Sequence, residues 1–465
     1  MNAAASTQAA TPNRRWLALG FIALAQLLIA LDATIVSIAL PSAQAAFGAS
    51  DADRQWVITA YSLSFAGLLL LGGRIADIAG RKRAFMVGLF GFAIASAVGG
   101  AAPSFAVLVA ARAMQGAFAA LLAPAALSLL AVTFTEARER ATAFAVYGSI
   151  AGSGAAIGLL LGGALTQYFT WRWCLYASLP IALAAAAGGW FAVPDSTRRD
   201  RFQVDVVGAL LATAGLAALV YACARASLPF GALSAVLLAL FVVREARTPA
   251  PLLPLRILND RTRAGVYLTV ICAIAGMFGA FLFLTYFMQV VLRLTPLQAG
   301  LGFLPMTVAS QAGSWLIASR LMPHVAPRVL MAPGALVAAA GMAWLTQLRA
   351  DGSYPTLVLP AEVLLGVGTS CVMVAAFSTA TQRIEPREAG IASATVNTAQ
   401  QVGGSLGAAL LNAIAIAASA GFTGARAAGI VHGFAVAAGA GVVILVAGAF
   451  FAALLITAPR PLTRA

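Results

Sequence analysis

The sequence predicts an all-α integral membrane protein with fourteen transmembrane helices, and three observations predict this class. First, 61% of the 465 residues are hydrophobic and only 9% are charged, whereas soluble domains carry about 25% charged residues. Second, apolar runs long enough to cross a hydrocarbon layer of about 30 Å recur along the whole chain. Third, the basic residues fall mainly in alternate connections between these runs. Every span should be helical, because an open strand would leave backbone groups unpaired in lipid.

The spans follow in order from the apolar runs and from the short polar breaks between them. Each run is close to the length that a membrane helix needs, and the eighth is the shortest. The predicted spans are residues 16–40, 54–76, 84–102, 105–133, 142–166, 173–193, 206–224, 228–243, 265–291, 298–318, 329–347, 356–382, 391–419 and 431–457.

The distribution of basic residues supports this count and sets the orientation. With the N-terminus in the cytoplasm, 22 of the 29 basic residues fall on the cytoplasmic side, six fall on the other side, and Arg112 lies within a span. Cytoplasmic connections of membrane proteins are enriched in Lys and Arg. We therefore expect a multi-pass protein of the bacterial cytoplasmic (inner) membrane with both termini in the cytoplasm. The net charge of +14 then serves orientation and contact with anionic lipids, and no nucleic-acid partner is expected.

The residue types argue against an enzyme and against a bound cofactor. Lys82 is the only lysine, so the spans offer neither a Schiff base nor a Walker-type nucleotide loop. The four cysteines and two histidines lack the spacing of a metal site. Gly403 to Gly407 contains a Gly-x-Ser-x-Gly pattern, but it lies within a span without the strand and partners of a hydrolase. We expect no catalytic residue, no metal and no cofactor.

Two halves of the chain resemble each other. The segment Glu136-Ala-Arg-Glu before span five recurs as Glu385-Pro-Arg-Glu before span thirteen, and Arg112 aligns with Glu362, each four residues before a glycine. Such a repeat predicts two six-helix bundles with the substrate between them, and spans seven and eight are then inserted helices. The predicted units are a disordered cytoplasmic tail at 1–13, a first bundle at 14–193, two inserted helices with linkers at 194–264, a second bundle at 265–457 and a cytoplasmic tail at 458–465.

Three charged residues lie within spans: Asp32, Arg112 and Glu362. A charge inside the membrane is costly and by default functional. Asp32 and Arg112 should lie at a similar depth, roughly 12 Å from the outer edge at the helical rise, so they can pair if their helices are neighbours. We predict that Asp32 carries a proton, because burial favours the neutral acid and the arginine favours the charged one. The alternative is a static ion pair that only fixes the packing.

Glu362 allows more than one interpretation. It is expected either to take part in proton coupling or to anchor a cationic substrate, and the alternative is that it faces lipid headgroups by snorkelling. Gln115, nearly one helical turn after Arg112, should share its cavity. Other candidates for a substrate cavity are aromatic or uncharged polar residues, which suit lipophilic compounds but could also belong to the core or face lipid. They are Tyr61, Tyr147, Phe281, Tyr286, Gln289, Gln311, Asn397 and Gln400.

A short basic segment joins spans two and three. Glycines permit a sharp turn between helices, and Asp77 can pair with a neighbouring helix end. We interpret this segment as a gating loop, and the alternative is a simple cytoplasmic anchor. Its residues are Gly73, Asp77, Gly80, Arg81, Lys82 and Arg83.

These motifs, with others in the same order, resemble the major facilitator superfamily, and specifically its fourteen-helix drug:proton antiporter family of the multidrug efflux type. The segment after span two resembles the signature loop of the superfamily. The antiporter resemblance is carried by Leu31 to Pro41, Arg112 to Gly116, Trp171 to Trp173, Tyr286 to Gly300 and Gly390 to Gly404. The resemblance implies the major facilitator fold, alternating access and an association with antibiotic resistance.

The antiporter glycine motif in span five departs from the pattern of this family. The family has a Gly-Pro pair before the last two glycines, whereas this chain reads Gly158-Leu-Leu-Leu-Gly162-Gly163. With Gly154 one turn earlier, these residues form a small face that suits close helix packing, and packing could be their whole role. The missing proline argues against a proline-assisted bend.

The sequence thus predicts a proton-coupled antiporter that exports lipophilic drugs or metabolites across the cytoplasmic membrane by alternating access. Its partners would be a small lipophilic substrate, protons and membrane lipids, and we expect a monomer. The alternatives are a lipid or lipoconjugate translocator and a proton-coupled uptake transporter of the same superfamily. A membrane sensor or scaffold is less favoured, because the longest connections, at 194–205 and 244–264, are too short for a soluble module.

Overall fold

The fold of this chain is known from a computed structural model that describes residues 12–51, 53–134, 136–193, 205–248, 251–252, 255–321, 324–381, 389–422 and 426–457. These residues form α-helices and contain no β-strand, which confirms the predicted all-α class. The helices are α1 (Pro12–Phe47), α2 (Trp56–Ala79), α3 (Arg81–Gly100), α4 (Phe105–Thr133), α5 (Ala137–Tyr168), α6 (Arg172–Tyr176), α7 (Ser178–Ala192), α8 (Val206–Arg225), α9 (Leu228–Arg247), α10 (Leu255–Asn259), α11 (Arg261–Tyr286), α12 (Pro296–Gly302), α13 (Leu304–Leu316), α14 (Pro327–Leu345), α15 (Leu359–Thr381), α16 (Ala389–Ala420) and α17 (Arg426–Leu455). Three π-helical segments adjoin them: Phe287–Val291, Ile317–Leu321 and Tyr354–Val358.

Within the described residues, eleven helical stretches are long and apolar enough to cross a membrane. They lie at the positions of all the predicted spans except the second, the fifth and the tenth. Helix α2, helix α5 and the pair α12–α13 occupy those three positions. The count of fourteen spans therefore stays a prediction. The predicted tails fall largely outside the described residues.

Several helix boundaries lie where the sequence supplies a cap. The side chains of Ser104, Asp205 and Asp260 accept hydrogen bonds from backbone N–H groups at the starts of α4, α8 and α11. These bonds satisfy donors that have no partner within the helix. Gly80 separates α2 from α3 with a φ of +97°, a region that glycine enters without strain.

The helices form two groups with the same arrangement. In the first group, α4 packs on α2 and α3, α5 packs on α1, and α7 packs on α1 and α3. In the second group, α15 packs on α13 and α14, α16 packs on α11, and α17 packs on α11 and α14. These five pairings are equivalent, as the predicted internal repeat requires. We call α1–α7 the first bundle and α11–α17 the second bundle.

The two bundles share a core at the end where α1 stops and α2 begins, which we call the α1–α2 end. One cluster of buried apolar residues includes Ile38 and Leu40 of α1 together with Phe283 of α11 and Phe287 just after it. A second cluster lies within the first bundle, toward the opposite α2–α3 end, and includes Phe85. Apolar packing therefore joins the bundles at the α1–α2 end.

The inserted helices α8 and α9 pack on each other, and α8 also contacts α2 and α16. Thr213 of α8 fills the space beside Gly67 of α2, where a Cβ would lie 2.5 Å from the threonine Oγ1. Arg225 at the end of α8 forms an ion pair with Asp53, just before α2. The inserted pair therefore lies beside both bundles and is attached to α2 along its length.

Candidate functional site

Asp32 on α1 and Arg112 on α4 form an ion pair inside the first bundle. Arg112 Nη1 donates to Asp32 Oδ2 at 2.6 Å, and the two side chains are 2% and 0% exposed. Helix α1 packs on α4, so the helices that carry the two charges are neighbours, as the predicted pair requires. Both side chains are enclosed by protein, so the acid does not face lipid.

Gln115 closes a three-residue network around this pair. Its Oε1 accepts a hydrogen bond from Arg112 Nη1 at 2.9 Å, and its Nε2 donates to Asp32 Oδ1 at 3.1 Å. The same Nε2 donates to Ser96 Oγ of α3 at 2.8 Å. Ser96 is fully buried, and no motif in the sequence marked it. Three helices thus contribute polar groups to one enclosed site.

The guanidinium of Arg112 is also fixed by α2. Its Nε donates to the carbonyl oxygen of Val57 at 3.0 Å, and its Cζ lies 4.5 Å from the centre of the Tyr61 ring. Helix α4 comes this close because Gly116 faces the backbone of α2: a Cβ there would lie 2.2 Å from the carbonyl oxygen of Tyr61. Arg112 therefore has partners on α1, α2 and its own helix.

Glu362 lies on α15 in the second bundle, apart from this network. Its side chain is 0% exposed, so the interpretation that it snorkels into lipid headgroups is wrong. Its Oε2 lies 3.2 Å from the hydroxyl oxygen of Tyr354, which in turn lies 2.6 Å from the carbonyl oxygen of Gly302. Its Oε1 has no hydrogen-bond partner among the described residues. Sequence reasoning missed Tyr354, because it precedes the predicted span.

Four of the candidate cavity residues lie in three different environments. Tyr61 and Gln115 belong to the network of Asp32. Tyr147 is buried on α5, and Phe281 stacks on Phe303 of the second bundle with ring centres 4.4 Å apart. The structure does not bring these four side chains into one site.

The other five candidates are divided in the same way. Tyr286 and Gln289 lie where the bundles meet, and Gln289 Nε2 donates to a carbonyl oxygen of α1 at 3.1 Å. Gln400 donates to Asn397 at 3.2 Å on α16, whereas Gln311 on α13 is exposed. These five residues therefore lie either at the contact between the bundles or within the second bundle.

An apolar groove of about 320 Å³ runs between α1 and α5 in the half nearer the α2–α3 end. Sequence reasoning missed it, because an apolar residue in a span is equally consistent with lipid or core. Serine and tryptophan supply its only polar side-chain atoms. The lining residues are Trp16, Leu19, Gly20, Ala23, Leu24, Leu27, Val146, Ile150, Ser153 and Ile157.

The glycines of the span-five motif are packing contacts. A Cβ on Gly158 would lie 2.2 Å from Thr34 Oγ1, and one on Gly162 would lie 2.8 Å from a carbonyl oxygen of α1. Gly154 meets α1 in the same way, whereas Gly163 faces the backbone of α12 in the second bundle. The motif therefore joins α5 to α1 and, at Gly163, joins the two bundles.

The segment between spans two and three is mostly helical. Helix α2 runs through Gly73, where an added Cβ would lie 3.6 Å from Pro124 of α4, so this glycine of the predicted gating loop lies within a helix. The turn is at Gly80 alone, and α3 begins at once with Arg81, Lys82 and Arg83. The ammonium of Lys82 lies 5.9 Å from the centre of the Trp190 ring. The side chain of Asp77 falls outside the part of the chain that the structure describes.

Comparison with known proteins adds a family relationship to this geometry. The sequence model of the Major Facilitator Superfamily matches residues 22–408. The puromycin resistance protein pur8 of Streptomyces alboniger is 48% identical over 460 residues, which cover 95% of this chain and 92% of that protein. The multidrug efflux pump LfrA of Mycolicibacterium smegmatis is 34% identical over 416 residues, which cover 87% and 81%.

A solved structure with the same fold is a bacterial homologue of the human lysosomal transporter Spinster, in an inward-facing and unoccupied conformation. The TM-score is 0.70 at 17% identity, and the match covers 96% of this chain and 98% of that chain. At this identity the likeness concerns the fold alone.

Proposed function

The chain belongs to the major facilitator superfamily, and on this premise we propose that it is a proton-coupled antiporter that exports lipophilic drugs or metabolites from the cytoplasm. Its relatives include antibiotic resistance and export transporters and multidrug efflux pumps, which supports export of small molecules. We place the α1–α2 end outside and the α2–α3 end in the cytoplasm, because the basic residues concentrate in the connections of the latter side.

The observation that carries the proposal is the enclosed network of Asp32, Arg112 and Gln115. A buried acid beside a buried arginine can exist in two protonation states, because burial and the positive charge act in opposite directions. When Asp32 takes up a proton, the ion pair is lost, but Arg112 keeps the Val57 carbonyl, the Gln115 amide oxygen and the Tyr61 ring. Neither state leaves the arginine unpartnered, so the proton can be taken up and released.

The energy of one proton is sufficient for useful export. Entry of one proton down about 100 mV and one pH unit releases about 3.7 kcal/mol. That energy sustains a substrate gradient of roughly 500-fold. Two protons per substrate would square this ratio.

We include Glu362 as a second proton site in the second bundle. The hydroxyl of Tyr354 has one hydrogen, and its shortest acceptor is the Gly302 carbonyl at 2.6 Å. The 3.2 Å contact with Glu362 is then best satisfied by a hydrogen on the carboxyl group, donated to the tyrosine oxygen. No ion pair to Glu362 is present in the described parts of the chain, and a buried carboxyl without such a partner favours its neutral form. A cationic substrate beside Glu362 is the alternative occupant.

The groove between α1 and α5 is the proposed entrance for the substrate. Its lining is apolar apart from Ser153 and Trp16, which suits lipophilic compounds. The same two helices contact the second bundle nearer the α1–α2 end, where α5 meets α12. In the proposed orientation the groove lies in the cytoplasmic half of the membrane, on the side from which an exporter loads. We keep the segment from Gly73 to Arg83 as the proposed gate of this side.

Transport in inverted membrane vesicles tests the proposal. With an imposed proton gradient, the vesicles should accumulate puromycin or a lipophilic dye, and an uncoupler should abolish the accumulation. Vesicles without the protein give the background. Translocation of labelled lipid without any transport of lipophilic small molecules would favour a lipid translocator and contradict the proposal.

A further inference from the structure

Arg54 and Asn412 join the two bundles at the α1–α2 end. Arg54 precedes α2 and is 5% exposed, and Asn412 lies fully buried on α16. Arg54 Nη2 donates to Asn412 Oδ1 at 2.9 Å, and Asn412 Nδ2 donates to the backbone carbonyl of Asp51 at 3.1 Å. Asn412 Nδ2 also donates to the side-chain carbonyl of Gln55. One asparagine of the second bundle thus satisfies three groups of the first.

Tyr286 makes a second cross-bundle contact with the same arginine. The Cζ of Arg54 lies 3.9 Å from the centre of the Tyr286 ring. The tyrosine hydroxyl donates to Gln44 Oε1 of α1, and Gln44 Nε2 donates to Asp51 Oδ1 at 2.7 Å. The bundles cannot separate at this end unless these contacts break.

The contacts are arranged so that they can be released. Arg54 Nη1 also forms an ion pair with Asp51 at 3.2 Å, and the side chain of Asp51 is 48% exposed. Both residues belong to the first bundle, so the pair persists when the bundles part. Arg54 would then lose Asn412 and the Tyr286 ring but would gain water, and its charge would never be left buried and unpaired. This is the behaviour of a releasable contact and not of a permanent buried ion pair.

The same short segment of α2 contacts the Asp32 network. The carbonyl of Val57, two residues after Gln55, accepts the hydrogen bond from Arg112 Nε. Tyr61, one turn further on, lies under the guanidinium. The segment of residues 54–61 therefore makes the cross-bundle contact at its start and contacts Arg112 further along. A shift of Arg112 acts directly on the backbone that positions Arg54.

We propose that Arg54 and Asn412 form a latch that keeps the α1–α2 end closed, and that residues 54–61 couple this latch to the protonation of Asp32. The proposed latch rests on the observed contacts between the bundles and does not require any role of Asp32. The coupling rests on the proposed function of Asp32. Loss of the Asp32–Arg112 attraction on protonation frees Arg112 to move, and the start of α2 moves with it.

Cysteine accessibility tests the latch without requiring transport. The backbone of Leu297 on α12 lies against Gly163 of the first bundle at this end, and its side chain is half-buried. A Leu297→Cys reporter in a background without the four native cysteines should therefore react slowly with a membrane-impermeant maleimide added outside intact cells. Asn412→Ala removes three hydrogen bonds and should raise the labelling rate by at least about three- to tenfold, the shift expected for each net hydrogen bond that is lost. Asn259→Ala, an exposed asparagine on α10, is the matched control and should leave the rate unchanged.

A second variant separates loss of the latch from misfolding. Arg54→Lys keeps a positive charge near Asp51 but loses the planar contact with Asn412 and Tyr286, and it should raise the labelling rate as well. Both variants should elute as the parent does in gel filtration. An unchanged labelling rate in both folded variants would overturn the latch.

The coupling is tested with the same reporter. The thiolate fraction of any cysteine rises with pH, so each labelling rate is divided by that of a reporter at the exposed position 351, Asp351→Cys, at the same pH. This normalised rate of the parent should change when the external pH is varied, and Asp32→Asn should remove the pH dependence. Asn412→Ala should still raise the rate in the Asp32→Asn background, because the latch contacts do not include Asp32. A pH dependence that persists in Asp32→Asn would overturn the coupling, whereas absent drug transport with an intact latch would count only against the proposed function.

Discussion

Arg112 and Glu362 occupy equivalent positions in the two bundles, although their side chains carry opposite charges. Each lies four residues before a glycine that brings its helix against a backbone carbonyl. A Cβ on Gly116 would lie 2.2 Å from a carbonyl oxygen of α2, and one on Gly366 would lie 2.4 Å from a carbonyl oxygen of α13. The two bundles therefore share their packing at these positions and differ in their charge.

The equivalent positions also account for the absence of a charged partner of Glu362 among the described residues. Gly407 of α16 faces the backbone of Ala275 on α11, as Gly158 faces the residue before Asp32. The position of Asp32 in the first bundle thus corresponds to Gly276 in the second, which has no side chain to offer. One bundle holds a paired acid and the other holds a lone acid, so the two should respond differently to substitution.

Asp32→Asn should abolish export driven by a proton gradient and leave the protein folded. Asparagine keeps an oxygen for Arg112 but cannot be charged, so the proton can no longer be exchanged. Uptake of dye into inverted vesicles measures the effect. Asp260→Asn is the matched control, because it changes an acid at the start of α11 and retains a side-chain acceptor for the cap. Proton-driven uptake by Asp32→Asn at the parental rate would remove Asp32 from the mechanism.

Arg112→Ala should destabilise the first bundle. Removing one partner of a buried ion pair leaves an uncompensated charge at a cost of about 3–5 kcal/mol. Thermal unfolding in detergent measures the loss. The double variant Asp32→Asn/Arg112→Ala should recover part of it, because no charge is then left alone. Strictly additive effects of the two substitutions would mean that the pair does not interact energetically.

Glu362→Gln should preserve stability and lower the number of protons per substrate. Glutamine resembles the neutral acid in shape and can donate a hydrogen bond to Tyr354, so the free energy of unfolding should change by less than about 1 kcal/mol. The substrate gradient reached at a fixed proton-motive force gives the stoichiometry. Asp351→Asn, an exposed acid, serves as the control. An unchanged stoichiometry would show that Glu362 carries no proton during transport.

Gly158→Ala should weaken the contact between α1 and α5. The added Cβ would lie 2.2 Å from Thr34 Oγ1 and 2.8 Å from a carbonyl oxygen of α1, so the helices must move apart, at about 1–3 kcal/mol. Gly439→Ala is the matched control on α17, because a Cβ there meets no atom within 4 Å. The two melting temperatures in detergent provide the comparison. Equal melting temperatures would contradict the packing role of the motif.

Asp205 should make stability at the start of α8 depend on pH. Burial by itself would raise the pKa of this carboxyl, but the N–H of Gly208 and the side chains of Arg244 and Thr248 together lower its pKa below the ordinary value. A lowered pKa in the folded protein means that the carboxylate stabilises the fold at neutral pH. That contribution is lost as the pH falls through the folded-state pKa.

The Asp205→Asn variant checks this dependence. Asparagine keeps the cap but loses the charge-assisted bonds from Arg244, so at pH 7 the variant should be less stable than the parent by about 0.5–1 kcal/mol. Because the parental carboxylate becomes protonated, the difference should shrink as the pH is lowered toward about 3. Unfolding by denaturant at several pH values measures it. A difference that grows in acid would reverse the assigned direction of the pKa.

The positions of the helices could be predicted from the sequence, because apolar runs and polar breaks determine where a helix can lie in lipid. The repeat could also be predicted, since glycines at matching offsets produce matching helix contacts. The sequence could not assign the turn to Gly73 or to Gly80, because glycine serves both to turn a chain and to let helices approach. At Gly73 it is next to Pro124, which no local pattern reveals.

The Asp32–Arg112 pair could be predicted from depth, because rise per residue places both charges at one level. The roles of Ser96 and Tyr354 could not be predicted. A serine or a tyrosine is common in membrane helices, and only the folded structure shows that these two contact Gln115 and Glu362. Arg54 could not be predicted either, because it is only the first residue of the second predicted span and belongs to no motif. Its contact with Asn412 joins residues 358 positions apart, a distance that no motif spans.

The shared apolar cluster at the α1–α2 end has a thermodynamic consequence. If that end opens, residues such as Phe283 and Phe287 lose part of their cover, and exposure of apolar surface raises the heat capacity. The closed and open states should therefore differ in heat capacity, and the attraction between the bundles should weaken on cooling. Temperature would then shift the resting conformation of the protein even when no substrate is bound and no proton gradient is applied.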